Sequence, residues 1–285
     1  MRQSPASSGP TMASDLPKVD HLAPGGMSTA SSTPMESALV VRDLSLSFGS
    51  KKVMDRINVE IPKGRITALI GPSGSGKSTF LRSINRMNER VSGFSADGEI
   101  SFQGESVLSP KVDLRELRRQ VGMLFQRPNP FPMSIADNVV AGVRAHRIAG
   151  RRQWPQIAEA RLREVRLWDV LKDRLSDSPF RLSGGQQQLL CLARALAVGP
   201  DILLLDEPTS SLDPISMESV ETLLRSLVPA LTLIIVTHNL AQAKRVSDYT
   251  MFFYEGQMVE FGPTPTMFDD PQHPETQHYV SGRIG

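Results

Sequence analysis

The residues Ile66-Thr67-Ala68-Leu69-Ile70 run directly into Gly71-Pro72-Ser73-Gly74-Ser75-Gly76-Lys77-Ser78. The first five have the length and apolar character of a buried strand. The next eight match G-x-x-x-x-G-K-[ST], and a helical run from Thr79 to Met87 follows. Strand, loop and helix in that order make a phosphate-binding loop. Gly71, Gly74 and Gly76 let the backbone, with Pro72, Ser73 and Ser75, curl its N–H groups around phosphate oxygens. The helix start adds a favourable field. Lys77 is expected to reach the β- and γ-phosphates and Ser78 to ligate Mg²⁺, with Thr79 beside them in the nucleotide contact. A glycine-rich turn without a ligand is the alternative, and it leaves the lysine and serine unexplained.

Outward from this loop, three more apolar runs read as buried parallel strands: Val121–Phe125, Ile202–Leu205 and Leu233–Val236. The third run of the set of four delivers Asp206 and Glu207 to the edge of the sheet where ligands bind. Asp206 is expected to hold Mg²⁺ through water, which leaves Glu207 free to polarise an attacking water as general base. Two adjacent acids at a strand end could also be surface residues; the phosphate loop beside them argues otherwise. Gln126 closes the second run, where an amide could touch metal and lytic water. His238 follows the last, where an imidazole could sense the γ-phosphate. Each alone reads equally as a loop residue, but all four strand ends present polar groups to one edge.

Leu182-Ser183-Gly184-Gly185-Gln186 precedes a helical run to Ala197. A plain serine N-cap explains Ser183. A second phosphate cradle explains the paired glycines as well. One chain needs a single loop for its own nucleotide, so a second cradle makes sense if it serves another copy across a dimer.

Short β-type runs at Leu39–Val41, Val59–Ile61 and Glu99–Phe102 predict an antiparallel part. A mostly helical stretch spans about 134–198. Its arginines (Arg144, Arg147, Arg151, Arg152, Arg161, Arg163, Arg166) fit a solvated helix face better than a binding patch. Val220, Leu223, Leu224 and Leu227 keep helical spacing, and Thr250–Tyr254 with Gln257–Phe261 reads as a final hairpin. The expected fold is α/β: a P-loop NTPase with a mainly parallel core sheet, an antiparallel β subdomain and a helical subdomain.

The rest of the composition sets limits. With 32 basic and 30 acidic residues among 285, the chain lacks the basic excess of a nucleic-acid binder. A lone Cys191 excludes an intramolecular disulfide framework and fits a reducing compartment. No apolar run approaches the ~18 residues of a membrane span, and no secretory h-region is present. A cytoplasmic, peripheral location is therefore expected. Sixteen of the first 37 residues are Ser, Pro or Gly. They predict a disordered tail over 1–37, ahead of an ATPase domain over 38–285.

Taken together, the phosphate loop, Gln126, Leu182–Gln188, Ile202–Glu207, Ser210-Ser211-Leu212-Asp213 and His238 resemble the ATP-binding subunits of ABC transporters in order and spacing. The resemblance implies a homodimer bound to two membrane permease subunits. It also implies that Phe48 stacks on adenine and that Ser183, Gly184, Gly185 and Gln186 close over the partner copy's ATP. Asp213 would communicate across the dimer, although it could also cap the helix after Pro214. Within the family, Arg127–Ser134, Val246–Tyr249 and the ending His278–Gly285 are similar to the ATPases of bacterial phosphate importers. That similarity implies phosphate as cargo and, indirectly, an extracytoplasmic phosphate-binding protein. The three prolines of Arg127–Ser134 stiffen a loop suited to permease docking. Three positions depart from the family pattern: Leu189 where arginine is usual, Ser211 for alanine, and Phe48 for tyrosine. A P-loop kinase or GTPase gives no reason for Leu182–Gln186. A non-transport ABC ATPase usually carries coiled coils or two cassettes, which are absent here, and another transported solute stays open as an alternative.

Overall fold

The computed structural model describes residues 36–210 and 212–283. Residues 1–35 of the expected 1–37 tail and the Ser211 departure lie outside them, as do the last two residues of the His278–Gly285 ending, whereas Ser37 already opens the first strand. In chain order, β1 (Ser37–Phe48) and β2 (Lys51–Pro62) form an antiparallel hairpin, followed by β3 (Ile66–Ile70) and helix α1 (Lys77–Ile84). Next come β4 (Phe94–Phe102), β5 (Glu105–Ser106), α2 (Leu114–Gln120) and β6 (Val121–Leu124). The helical stretch holds α3 (Ile135–Ala145), α4 (Trp154–Glu164), α5 (Trp168–Leu171) and α6 (Gly184–Leu196). It is followed by β7 (Ile202–Asp206), α7 (Pro214–Leu227), β8 (Thr232–Val236) and α8 (Leu240–Val246). The chain closes with β9 (Tyr249–Tyr254), β10 (Gln257–Pro263), α9 (Thr264–Asp269) and α10 (Pro274–Val280).

Two sheets result. The first is antiparallel, in the order β2-β1-β4-β5; the second runs β10-β9-β3-β8-β7-β6. In the second sheet β6, β7, β8, β3 and β9 are parallel and only β10 reverses. The strands β3, β7 and β8 are buried at every residue. Continuous apolar runs therefore replace alternating ones, as expected when both faces of a sheet are covered.

The period of two assigns those side chains to two cores. Ile66, Ala68, Ile70, Leu203, Leu205, Leu233 and Ile235 join α6 and α7 residues such as Leu190 and Leu224. Leu69, Ile202, Leu204, Ile234 and Val236 turn the other way. They meet Phe80, Leu81 and Ile84 of α1 and the buried face of the antiparallel sheet, Leu39, Val41 and Leu46. The parallel sheet is thus clamped between helices on one face and α1 with a second sheet on the other, and this holds its C-terminal edge firm.

Two features differ from the sequence expectation. The hairpin is not final, because α9 and α10 follow it; both are short and proline-led, so their pattern resembles turn chemistry. Its first strand also pairs in parallel with β3, which the hairpin pattern alone does not reveal. The arginine-rich stretch is a solvated face. Arg163 pairs with Glu159 at 2.7 Å and Arg161 with Glu164 at 2.6 Å, contacts worth well under about 1 kcal/mol each. Among the described residues no helix is long and apolar enough to cross a membrane.

Candidate nucleotide site

The strand β3 ends in a loop that only glycine can build. Gly71 has φ 143°, and a Cβ there would lie 2.0 Å from the Phe253 carbonyl oxygen. Gly76 has φ 102° and caps α1 without any side-chain hydrogen bond. The first amides of α1 consequently have no capping side chain, the arrangement that suits a bound anion. Lys77 is buried and bent back over the loop. Its Nζ donates to the carbonyls of Gly71 and Pro72 at 2.8 Å each and to Ser75 Oγ at 3.4 Å. Burial pushes its pKa down to about 8, against the opposing pull of the Glu207 and Asp206 charges.

At the end of β7, Asp206 is almost fully buried. Its Oδ1 accepts from Ser78 Oγ and its Oδ2 from Arg82 Nη2, both at 2.8 Å. Arg82 escaped the sequence reading, since a basic residue in the last turn of a helix looks like ordinary surface decoration. The next residue, Glu207, has φ 48°, a left-handed conformation that costs a non-glycine residue roughly 1–2 kcal/mol. Its N–H donates to the Val236 carbonyl at 3.0 Å, which secures the turn. Gln126 Nε2 donates to Glu207 Oε2 at 2.9 Å, and His238 Nε2 lies 2.9 Å from Oε1. Three strand ends thus converge on one carboxylate, and the turn strain is spent on aiming it.

Lys77 feels the charges of Asp206 and Glu207; Ser78 bonds the first of these chain neighbours, and Gln126 and His238 meet the second. The oxygens of Ser78 and Asp206, side by side, are hard ligands of the kind Mg²⁺ takes. No group of three or more His, Cys, Asp or Glu residues able to cage a metal occurs among the described residues.

The remaining expected site residues sit elsewhere. Phe48 lies opposite Phe94 across the β1–β4 pair, ring centroids 5.3 Å apart. Ser183 and Gln186 form a reciprocal capping box: Ser183 Oγ accepts from the Gln186 amide at 3.3 Å, and Gln186 Oε1 from the Ser183 amide at 3.1 Å. Gly184 is exposed, and a Cβ there would meet nothing within 4 Å. Asp213 caps α7, its carboxylate accepting from the amide and hydroxyl of Ser216. Leu189 packs half-buried against the helix-side core, so the side chain that replaces the usual arginine serves packing.

A glycine loop between a buried parallel strand and a helix, with an acid ending β7 two strands away, defines a P-loop nucleoside triphosphatase. A family model described as ABC transporter matches residues 54–210. The chain belongs to the ABC transporter family. It is 62% identical over 239 residues to the Phosphate import ATP-binding protein PstB of Mycobacterium intracellulare, covering 84% of each chain. It is 56% identical over 262 residues to Phosphate import ATP-binding protein PstB 2 of Mycobacterium tuberculosis, covering 92% of this chain and 95% of that one. In fold it is similar to the solved structure of cbiO1 from Clostridium perfringens, part of the ABC transporter complex cbiONQ. There the TM-score is 0.72 at 24% identity, with 87% of this chain and 96% of the other covered.

Proposed function

We propose that the chain is the ATP-hydrolysing subunit of a phosphate importer. The observation that carries the activity is the Gln126–Glu207–His238 cluster held beside Ser78 and Asp206. The cargo is carried by the near full-length similarity to two mycobacterial proteins named for phosphate import. Nothing in the nucleotide site would touch the cargo.

In this reading residues 38–285 are the ATPase domain, with a helical subdomain over about 134–198. Phe48 stacks on adenine, and the loop Gly71–Ser78 with Thr79 wraps the phosphates. Lys77 exchanges two neutral carbonyls for charged phosphate oxygens, acceptors roughly twice as strong. Ser78, Asp206 and Gln126 would hold the Mg²⁺ that accompanies ATP, and the ion would neutralise phosphate charge there. Glu207 takes up the lytic water's proton as general base, Gln126 orients that water, and His238 steadies the γ-phosphate. Ser183, Gly184, Gly185 and Gln186 complete the site of a second copy, and Asp213 lies at that junction. Two bound nucleotides therefore close a homodimer. Hydrolysis removes the charge shared by both surfaces and reopens it, a two-state device biased by nucleotide. Two permease subunits in the membrane follow that motion from the cytoplasmic face, and an extracytoplasmic phosphate-binding protein feeds them. No nucleic acid takes part.

The test is ATP-dependent phosphate uptake by membrane vesicles carrying the reconstituted transporter, with wild type beside Glu207→Gln. Uptake lost in the variant supports motor, base and cargo together. Hydrolysis without phosphate uptake discards the cargo.

A further inference from the structure

The helix α6 grips the loop that follows Gln126 at two points. Gln188, four residues after Gly184, is buried and donates from Nε2 to the Phe125 carbonyl at 2.9 Å. Arg194 lies six residues on, a rise of about 9 Å along the helix. Its guanidinium donates to the Asn129 carbonyl at 3.0 Å and to Asn129 Oδ1 at 2.7 Å. It also donates to Asn138 Oδ1 at 3.3 Å and lies 4.1 Å from the centre of the Phe131 ring. From α3, the buried Asn138 accepts the Phe131 amide and donates to the carbonyls of Phe131, Met133 and Ser134. The segment from Phe125 to Ser134 is therefore strapped to the helical part, while Gln126 at its start touches Glu207.

The chemistry of Arg194 is unusual for a merely structural residue. Among the described residues no carboxylate pairs with it. Its charge is met only by neutral oxygens and an aromatic face, and burial pushes its pKa down. Arg194 is only partly buried, yet holding a cation there without a counter-charge still carries a desolvation cost. Local costs of this kind mark positions retained for function. The planar fork meets the two oxygens of Asn129 from two separate nitrogens, a fixed geometry that a single ammonium nitrogen does not reproduce.

We propose that Arg194, with Gln188, is a positioning residue that locks the loop after Gln126 to the Ser183 helix so that the two move as one body. The proposal rests on the shared-site reading above. A phosphate arriving at Ser183–Gln186 then shifts both Gln126 and the exposed Phe131 on the opposite part of the loop.

The test is hydrogen–deuterium exchange of the full chain carrying Glu207→Gln, with and without Mg-ATP. ATP is expected to slow exchange about tenfold both in 183–190 and in 127–134. Adding Arg194→Leu keeps the first response and removes the second, and Arg194→Lys does not rescue it. In an otherwise wild-type chain, Arg194→Leu lowers kcat roughly tenfold with KM for ATP within twofold, the sign of a misplaced group and not of lost binding. Should Arg194→Leu fail to fold, Asn129→Ala, on an exposed loop residue, is expected to weaken the loop response in the same direction. A loop response intact in all three variants overturns the proposal. Absence of any response at 183–190 in the parent overturns the shared-site reading and this proposal with it.

Discussion

The strand-end cluster and the start of α6, the two places proposed to meet phosphate, are finished to different degrees. At the strand ends each side chain leans on another: Lys77 on loop carbonyls, Ser78 and Arg82 on Asp206, Gln126 and His238 on Glu207. At Ser183 the hydrogen bonds close within one turn of helix, and Gly184 stands exposed with open space around it. A site that is complete in itself has no use for a second cradle held apart from it. In the proposed reading the difference has a simple cause: the chain contributes two half-sites, each completed by another copy.

Breaking one half at a time sharpens that contrast. The largest effect is expected from Glu207→Gln, which keeps the shape and both neighbours but removes the base. Hydrolysis should fall by about 10²–10⁴-fold while ATP still binds, read by single-turnover kinetics beside nucleotide titration. Gly184→Asp strikes the other half. Its side chain meets open space, and a carboxylate at a helix start stabilises the fold by about 0.3–1 kcal/mol. Hydrolysis should nonetheless drop on the order of 10²-fold through repulsion of the incoming phosphate, with ATP binding to the variant's own loop unchanged. A lowered melting temperature in Gly184→Asp would remove the electrostatic explanation.

A smaller effect follows from Lys77. With its pKa at about 8 before nucleotide binds, the ammonium is present below that pH and lost above it. Phosphate oxygens favour the charged form, so ATP affinity should be level below pH 8. Above it, affinity should weaken by up to about tenfold per pH unit, seen as a rising KM. A flat profile to pH 9.5 would show that the lysine is not held as described. The smallest effect belongs to Ser183→Ala, which opens the capping box at a cost of about 1 kcal/mol, measurable by denaturant unfolding.

Much of this arrangement is legible in the residues because it is local. The run Ile66–Ile70 and the loop after it specify strand, turn and helix by composition alone. Ser183 with Gln186 three residues later spells its own cap. The acids ending β7 are readable because a fully apolar strand stops at them. What stays hidden is whatever depends on distant neighbours. Arg82 on Asp206, Arg194 on Asn129 and Phe94 opposite Phe48 join residues whose local patterns are those of ordinary helix surfaces and strands. The parallel pairing of β9 with β3 likewise follows from the closed sheet, not from the hairpin signal. The bend of Lys77 onto its own loop reflects the carbonyls available to it, which no motif records.

The most direct test of the shared-site account mixes two inactive variants, Lys77→Ala and Gly184→Asp, and measures ATP hydrolysis. Each alone damages both sites of a homodimer. In a mixed dimer one site collects both defects and the other has neither. The account predicts that activity reappears on mixing; no recovery, with mixed dimers shown to form, would contradict it.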